Sequence, residues 1–142
     1  KRTLAQLLDP DARTRRELDE QRALLARRDA LLCDVLRECG WDPIEPQGGL
    51  FVVARPGYGA RTVELVTPDG PRSFHLGAGG LVEALFATTG LLINGPAWTG
   101  IPEHHRFVLS VPQEVFDGAL AALRRFHRLV EDADRDAMDK AP

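Results

Sequence analysis

Arg106 opens the run Arg106-Phe107-Val108-Leu109-Ser110, a strand-like segment directly behind a loop rich in glycine and proline. A rigid strand end can aim a guanidinium, and its planar fork of paired donors matches a carboxylate in two hydrogen bonds, which lysine cannot do. Arg106 is therefore the leading candidate for carboxylate binding. A plain surface arginine, or one held in an ion pair by Glu103 or Glu45, is the structural alternative. Gly48 and Gly49, and the loop from Asn94 to Gly100, can let backbone approach a ligand, although ordinary turns use the same residues. Trp98 in that loop can stack on a ring or line a pocket, or simply pack against its own domain.

Other chemistries find little support. His104 and His105 are neighbours, so on a strand they point to opposite faces and cannot share a metal. His75 and His127 are isolated, and neither cysteine has a histidine close in sequence, so a zinc site is not expected. There is no phosphate loop ending in Gly-Lys-Ser/Thr, no Gly-x-Ser-x-Gly elbow and no paired-carboxylate signature. A self-contained enzyme is hard to assemble from these parts.

The elements that must position Arg106 belong to a chain of 142 residues, enough for one domain with its own core. Apolar residues at 44% and charged residues at 27% fit a globular protein rather than a disordered or fibrous one. The apolar runs are far shorter than the roughly 20 residues of a membrane span. The start Lys1-Arg2-Thr3-Leu4 lacks the apolar stretch of a signal peptide, which implies the cytoplasm. The net charge is −3 and the arginines alternate with acids, so a nucleic-acid surface is disfavoured. Cys33 and Cys39, six apart on one predicted helix, point about 240° apart around its axis and cannot bridge each other.

Asp9 and Pro10 form a helix start, and the helix is expected to run to Gly40. Leu18, Leu24, Leu25, Leu31, Leu32, Val35 and Leu36 make its apolar stripe, with Arg15, Arg16, Glu20, Arg27 and Arg28 facing water. A helix this long reaches across another element or domain. Strands are expected at residues 41–44, 50–54, 62–66, 72–76, 91–93 and 107–110. The turn Thr67-Pro68-Asp69-Gly70-Pro71 joins the third and fourth into a hairpin. Residues 81–88 read as a short helix closed by Gly90. Ser110 and Gln113 have capping-box spacing ahead of the last helix, whose apolar face is Phe116, Leu120, Leu123, Phe126 and Val130. The order of elements predicts an α+β fold, a small, mostly antiparallel sheet with helices on one face. Residues 1–40 would form the linking helix, 41–134 the small α/β domain and 135–142 a disordered tail.

These pieces resemble a family. Glu45-Pro46-Gln47-Gly48-Gly49-Leu50-Phe51 is similar to the Pro-x-Gly-Gly-x-Phe segment of fold-type-I, class I/II aminotransferases, which also follows a long helix and a strand. Leu91-Leu92-Ile93-Asn94-Gly95-Pro96-Ala97-Trp98-Thr99-Gly100 resembles the strand and loop bearing that family's Pro-Gly-x-x-Phe-Gly. Arg106-Phe107-Val108-Leu109-Ser110 then takes the place of its arginine-bearing strand, and residues 112–126 that of its closing helix. Thr88-Thr89-Gly90-Leu91-Leu92-Ile93-Asn94, Trp98-Thr99-Gly100-Ile101-Pro102 and Arg106-Phe107 also resemble the aminotransferase-like C-terminal region of methionine S-methyltransferases.

The resemblance implies the small C-terminal domain of a pyridoxal-phosphate enzyme, with Arg106 gripping the α-carboxylate of an amino-acid substrate. Gly48, Gly49 and Trp98 would border the active-site mouth. It also implies a large cofactor-binding partner domain and a homodimer. The departure from the family is large, because catalysis needs a lysine that forms a Schiff base with the cofactor, an aspartate for the pyridine nitrogen and a phosphate cup. The only lysines are Lys1 and Lys140, outside any suitable motif, so this chain alone should not transaminate. The alternative is an aminotransferase-like domain attached to another enzyme, such as a methionine S-methyltransferase, that keeps the fold for interaction or regulation.

Overall fold

A computed structural model of the chain describes residues 12–139. Helix α1 (Ala12–Glu38) leads into β1 (Trp41–Pro43) and β2 (Phe51–Pro56). The hairpin β3 (Thr62–Thr67) and β4 (Gly70–His75) follows, then α2 (Ala78–Thr89), a short 3-10 turn (Pro96–Trp98), β5 (His105–Val108) and α3 (Gln113–Asp139). The expected start at Asp9 and Pro10 lies outside the described residues.

The period-2 alternation of β2 and β5 decides which side chains reach the core. Val52 pairs with Phe107 and Ala54 with His105, and all four are buried. Antiparallel pairing in the order β1-β2-β5 puts Trp41 beside them, with its ring edge-on to His105 and Phe107 at 5.6 and 5.4 Å. The hairpin pairs separately, from Thr62 opposite His75 to Thr67 opposite Gly70. Its Pro68-Asp69 tip is fixed by the Thr67 hydroxyl, which donates to Gly70 O at 2.8 Å and accepts from the Asp69 amide.

The helices cover the core side. Leu32, Val35, Leu36 and Cys39 of α1 are buried, as are Leu81, Ala84 and Leu85 of α2. From α3, Phe116, Ala122, Leu123, Phe126 and Val130 enter the same core, following the spacing of the sequence stripe, while Leu120 is half-buried. Full burial of one such side chain contributes on the order of 2 kcal/mol. Gly90 closes α2 at φ 77°, its amide bonded to Phe86 O. Cys33 and Cys39 are both buried and unbridged. The fold is thus α+β, with a long first helix and small antiparallel sheets.

Five sequence expectations need correction. Arg28 does not face water: it is 6% exposed, while Leu18 and Leu31 from the expected stripe are 45% and 53% exposed. The first half of α1 is a solvated helix laced by i,i+4 pairs such as Arg13 with Glu17 and Arg16 with Glu20. Residues 91–93 form no strand. Only the next residue, Asn94, bridges to Arg106, because Thr89 Oγ1 takes the Leu91 amide and Gly95-Pro96 turns the chain away. Gln113 does not complete a capping box, since its side chain accepts from Arg28 and donates to Asp117. Helix α3 continues to Asp139, past the expected fraying point near residue 134.

Candidate carboxylate site

Arg106 sits in the middle of β5, opposite Val53 of β2. Because His105 and Phe107 turn inward, alternation sends Arg106 and Val108 to the opposite side of the strand, the side that also carries Phe51. Its backbone is held on both edges. Besides the β2 ladder, the Arg106 amide donates to Asn94 O at 2.9 Å and its carbonyl accepts from the Asn94 amide at 3.2 Å.

Two aromatic rings bracket the guanidinium, Phe51 at 4.5 Å from its centroid and Trp98 at 5.8 Å. Ring quadrupoles stabilise the cation without consuming its donors. Arg106 Nε is buried and has no hydrogen-bond partner. Among the described residues no carboxylate lies within 4.0 Å of the guanidinium. Glu45, one of the two acids that could have neutralised it, pairs with Arg37 instead. Glu103 stands in a left-handed conformation at φ 63° and is exposed. The result is a cation oriented by aromatic contacts, half-buried and lacking a counter-ion among the described residues.

The other candidates stand around it in different ways. Gly48 and Gly49 adopt φ 136° and 101°, conformations open to glycine, and lead the chain two residues later into Phe51. They reach the site through that ring's placement. Trp98 is 67% exposed and ends the 3-10 turn that follows Asn94. Thr99 fixes this loop: its hydroxyl donates to Pro96 O at 3.0 Å and accepts from the Ile101 amide. His104 and His105 point apart, His105 into the core, and among the described residues no group of acids, histidines and cysteines could hold a metal.

A cavity of about 260 Å³ opens beside Arg106, between α1, α3 and the segment around Ile93. Arg106 is the single charged residue in its lining, which otherwise includes Leu92, Asn94, Val108, Val115 and Leu120. Sequence reasoning missed one residue that shapes the site. Phe51 stood in the quoted Gly-Gly motif without a role, and an aromatic two residues after a strand-opening glycine pair was its signal.

Residues 1–112 match the family described as "Aminotransferase class I and II". The chain is 38% identical over 112 residues to a methionine S-methyltransferase of Wollastonia biflora and 33% identical over 112 residues to that of Hordeum vulgare. Each match covers 78% of this chain and 10% of the relative, so the chain spans about a tenth of the length of these relatives. Among solved structures, an aspartate aminotransferase from Rhizobium meliloti superposes with TM-score 0.64 at 16% identity, covering 85% of this chain and 28% of that one. An aromatic aminotransferase from Pyrococcus horikoshii OT3 superposes with TM-score 0.65 at 16% identity, covering 86% and 28%. At such identity the superpositions speak for the fold, and the sequence matches for descent: the chain belongs to the class I and II aminotransferase family.

Proposed function

We propose that this chain is the small domain of a larger aminotransferase-like enzyme, in which Arg106 binds the α-carboxylate of an amino-acid substrate and the domain closes over it. One observation carries the reading: a half-buried guanidinium, stacked on Phe51 and near Trp98, has no carboxylate partner among the described residues. An unpaired, partly desolvated cation favours an anionic ligand, and a planar carboxylate matches its fork. The apolar cavity beside it favours a substrate whose side chain is apolar.

Family membership brings pyridoxal phosphate into the proposal, and the residues present do not provide its attachment. Among the described residues there is no lysine, and Lys1 and Lys140 lie outside them. The Schiff-base lysine and the phosphate cup therefore belong to a large partner domain, and this chain contributes binding and closure, not bond-breaking. The family reading also carries a homodimer, and a cytoplasmic setting is proposed beside it; among the described residues no helix is long and apolar enough to cross a membrane.

A second reading has its own support, because the relatives cited are methionine S-methyltransferases, of which this chain matches one tenth. In it, the domain is retained by a methyltransferase for interaction or regulation, without transamination. The deciding experiment uses the longest natural protein containing this sequence: absorbance with added pyridoxal phosphate, then borohydride reduction and intact mass. A reduced adduct on a lysine outside residues 1–142 supports the first reading. Its absence, together with unaltered amino-acid binding by Arg106→Ala, would overturn it in favour of the second.

A further inference from the structure

We infer that Arg28 is a positioning residue for the carboxylate site: from α1 it clamps the corner between β5 and α3 and so fixes where Arg106 and Phe51 stand. The inference rests on the reading of Arg106 given above. Arg28 is 6% exposed, and its Nη1 donates to Leu109 O and Val111 O, both at 2.7 Å. Nη2 donates to Gln113 Oε1 at 3.0 Å, and the guanidinium lies 5.1 Å from the Phe116 ring centroid. Two of these acceptors belong to the turn that carries the chain out of β5, and the third is on the first residue of α3. Leu109 lies three residues beyond Arg106.

The same clamp extends to β2. The Leu109 amide donates to Leu50 O at 2.8 Å, and Leu50 directly precedes the ring that stacks on Arg106. One guanidinium thus anchors Leu109, Leu109 anchors Leu50, and the two strands that present Arg106 and Phe51 share that fixed end.

Stability alone does not account for a cation at this place. Among the described residues Arg28 has no carboxylate partner, and its Nε is buried without a hydrogen bond. A buried charge with only neutral acceptors keeps much of its desolvation penalty, and an apolar side chain of similar volume is often as stable. What the apolar side chain cannot do is hydrogen-bond two carbonyls and an amide oxygen at once. Binding sites lose affinity when their supporting shell shifts by a fraction of an ångström, so this clamp has its effect at Arg106.

The test uses the full-length natural protein and calorimetric titration with L-methionine, the other proteinogenic amino acids being tried in turn if methionine does not bind. Arg28→Met keeps the stem packed on Phe116 and removes the donors. It should weaken amino-acid binding on the order of tenfold, and Gln113→Ala, which removes one acceptor near the surface, by roughly threefold. Methionine's decarboxylated amine, which has nothing for Arg106 to hold, should bind both variants as it binds the natural protein. Equal weakening of amine and amino acid would show a merely structural role and overturn the inference, as would unchanged amino-acid affinity in Arg28→Met. If Arg28→Met does not fold, Gln113→Ala decides by the same comparison. Arg106→Ala is measured alongside: if it binds amino acid normally, or if no amino acid binds the natural protein, the site reading fails. Loss of binding in Arg106→Ala with normal binding in Arg28→Met overturns only the role of Arg28.

Discussion

Arg61 and Asp134 meet in a two-pronged pair, Nη1 to Oδ1 at 2.6 Å and Nη2 to Oδ2 at 2.7 Å, across 73 residues of chain. Arg61 Nε also donates to Tyr58 O at 3.0 Å. The loop between β2 and β3 is thereby fastened to the far end of α3, near the point where the sequence pattern turns acidic and loses its apolar face. This contact gives a physical reason for helix to persist through Asp139 when amphipathicity no longer supports it.

Replacing Asp134 by Asn should therefore act locally. The two side chains are 38% and 44% exposed, so solvent screens the pair and limits its contribution to about 1 kcal/mol or less. Hydrogen exchange should speed up in α3 beyond Asp134 and in the loop around Arg61, while amides near Phe126 keep their protection. An unchanged exchange pattern would mean that something other than Arg61 holds the end of the helix.

The aromatic bracket around Arg106 predicts an ordered pair of effects on amino-acid binding. Phe51→Leu keeps an apolar surface and removes the ring face at 4.5 Å, so affinity should fall by roughly threefold. Trp98→Ala should cost less, since its centroid is 5.8 Å away and the ring is 67% exposed. Calorimetric titration of the full-length protein separates the two. A larger loss in Trp98→Ala would show that the indole touches the ligand itself rather than orienting the arginine.

Alkaline pH should weaken the fold in a defined window. Burial, aided by the charge of Asp29, pushes the Cys33 thiol from its ordinary 9.0 to about 11. Burial likewise raises the Tyr58 phenol above its ordinary value of 10.0; its hydroxyl donates to Cys39 O at 3.0 Å. The folded state therefore keeps protons that the unfolded chain has released, so this stabilisation is complete below about pH 9 and is lost as pH rises toward 11. The melting temperature should fall across that interval, and Cys33→Ala should flatten the early part of the fall while Tyr58 maintains the later part. A Cys33→Ala profile as steep as that of the natural protein would remove the thiol from the account.

Much of this was legible in the sequence, and the failures have identifiable causes. Arg28 lies three residues after Leu25 and four before Leu32, so spacing alone places it on the buried stripe; its charge suggested solvent, and only the carbonyls of Leu109 and Val111 make burial tolerable. Those acceptors are more than eighty residues away in the chain. The strand bearing Arg106 could be read from its short apolar run behind a loop rich in glycine and proline, but its stacking on Phe51 depends on the register of β2 against β5, which local pattern does not contain. The segment 91–93 has strand composition and lacks strand pairing, because a ladder needs a partner along its whole length and Asn94 is the single bridging residue there. Periodicity located the elements, and long-range hydrogen bonds decided what the polar residues within them do.

Two glycines inside helices should respond to the same substitution with opposite signs. In a helix interior Gly→Ala ordinarily stabilises by about 1 kcal/mol. At Gly118 in α3 an added Cβ meets nothing within 4 Å, so Gly118→Ala should follow that rule. At Gly80 in α2 the Cβ would stand 2.0 Å from His75 O and 3.1 Å from its carbonyl carbon, and backbone cannot swing aside as a side chain does. The first turn of α2 must then move off the end of β4, at a cost on the order of 1–3 kcal/mol that exceeds the propensity gain. Denaturant titration of the two variants provides the comparison: a rise in midpoint for Gly118→Ala and a fall for Gly80→Ala. A rise in both would mean that β4 and α2 approach each other less closely than the backbone of His75 indicates. The fall at Gly80 would show that close approach of two backbones, rather than helix propensity, selects glycine where the hairpin enters the helix.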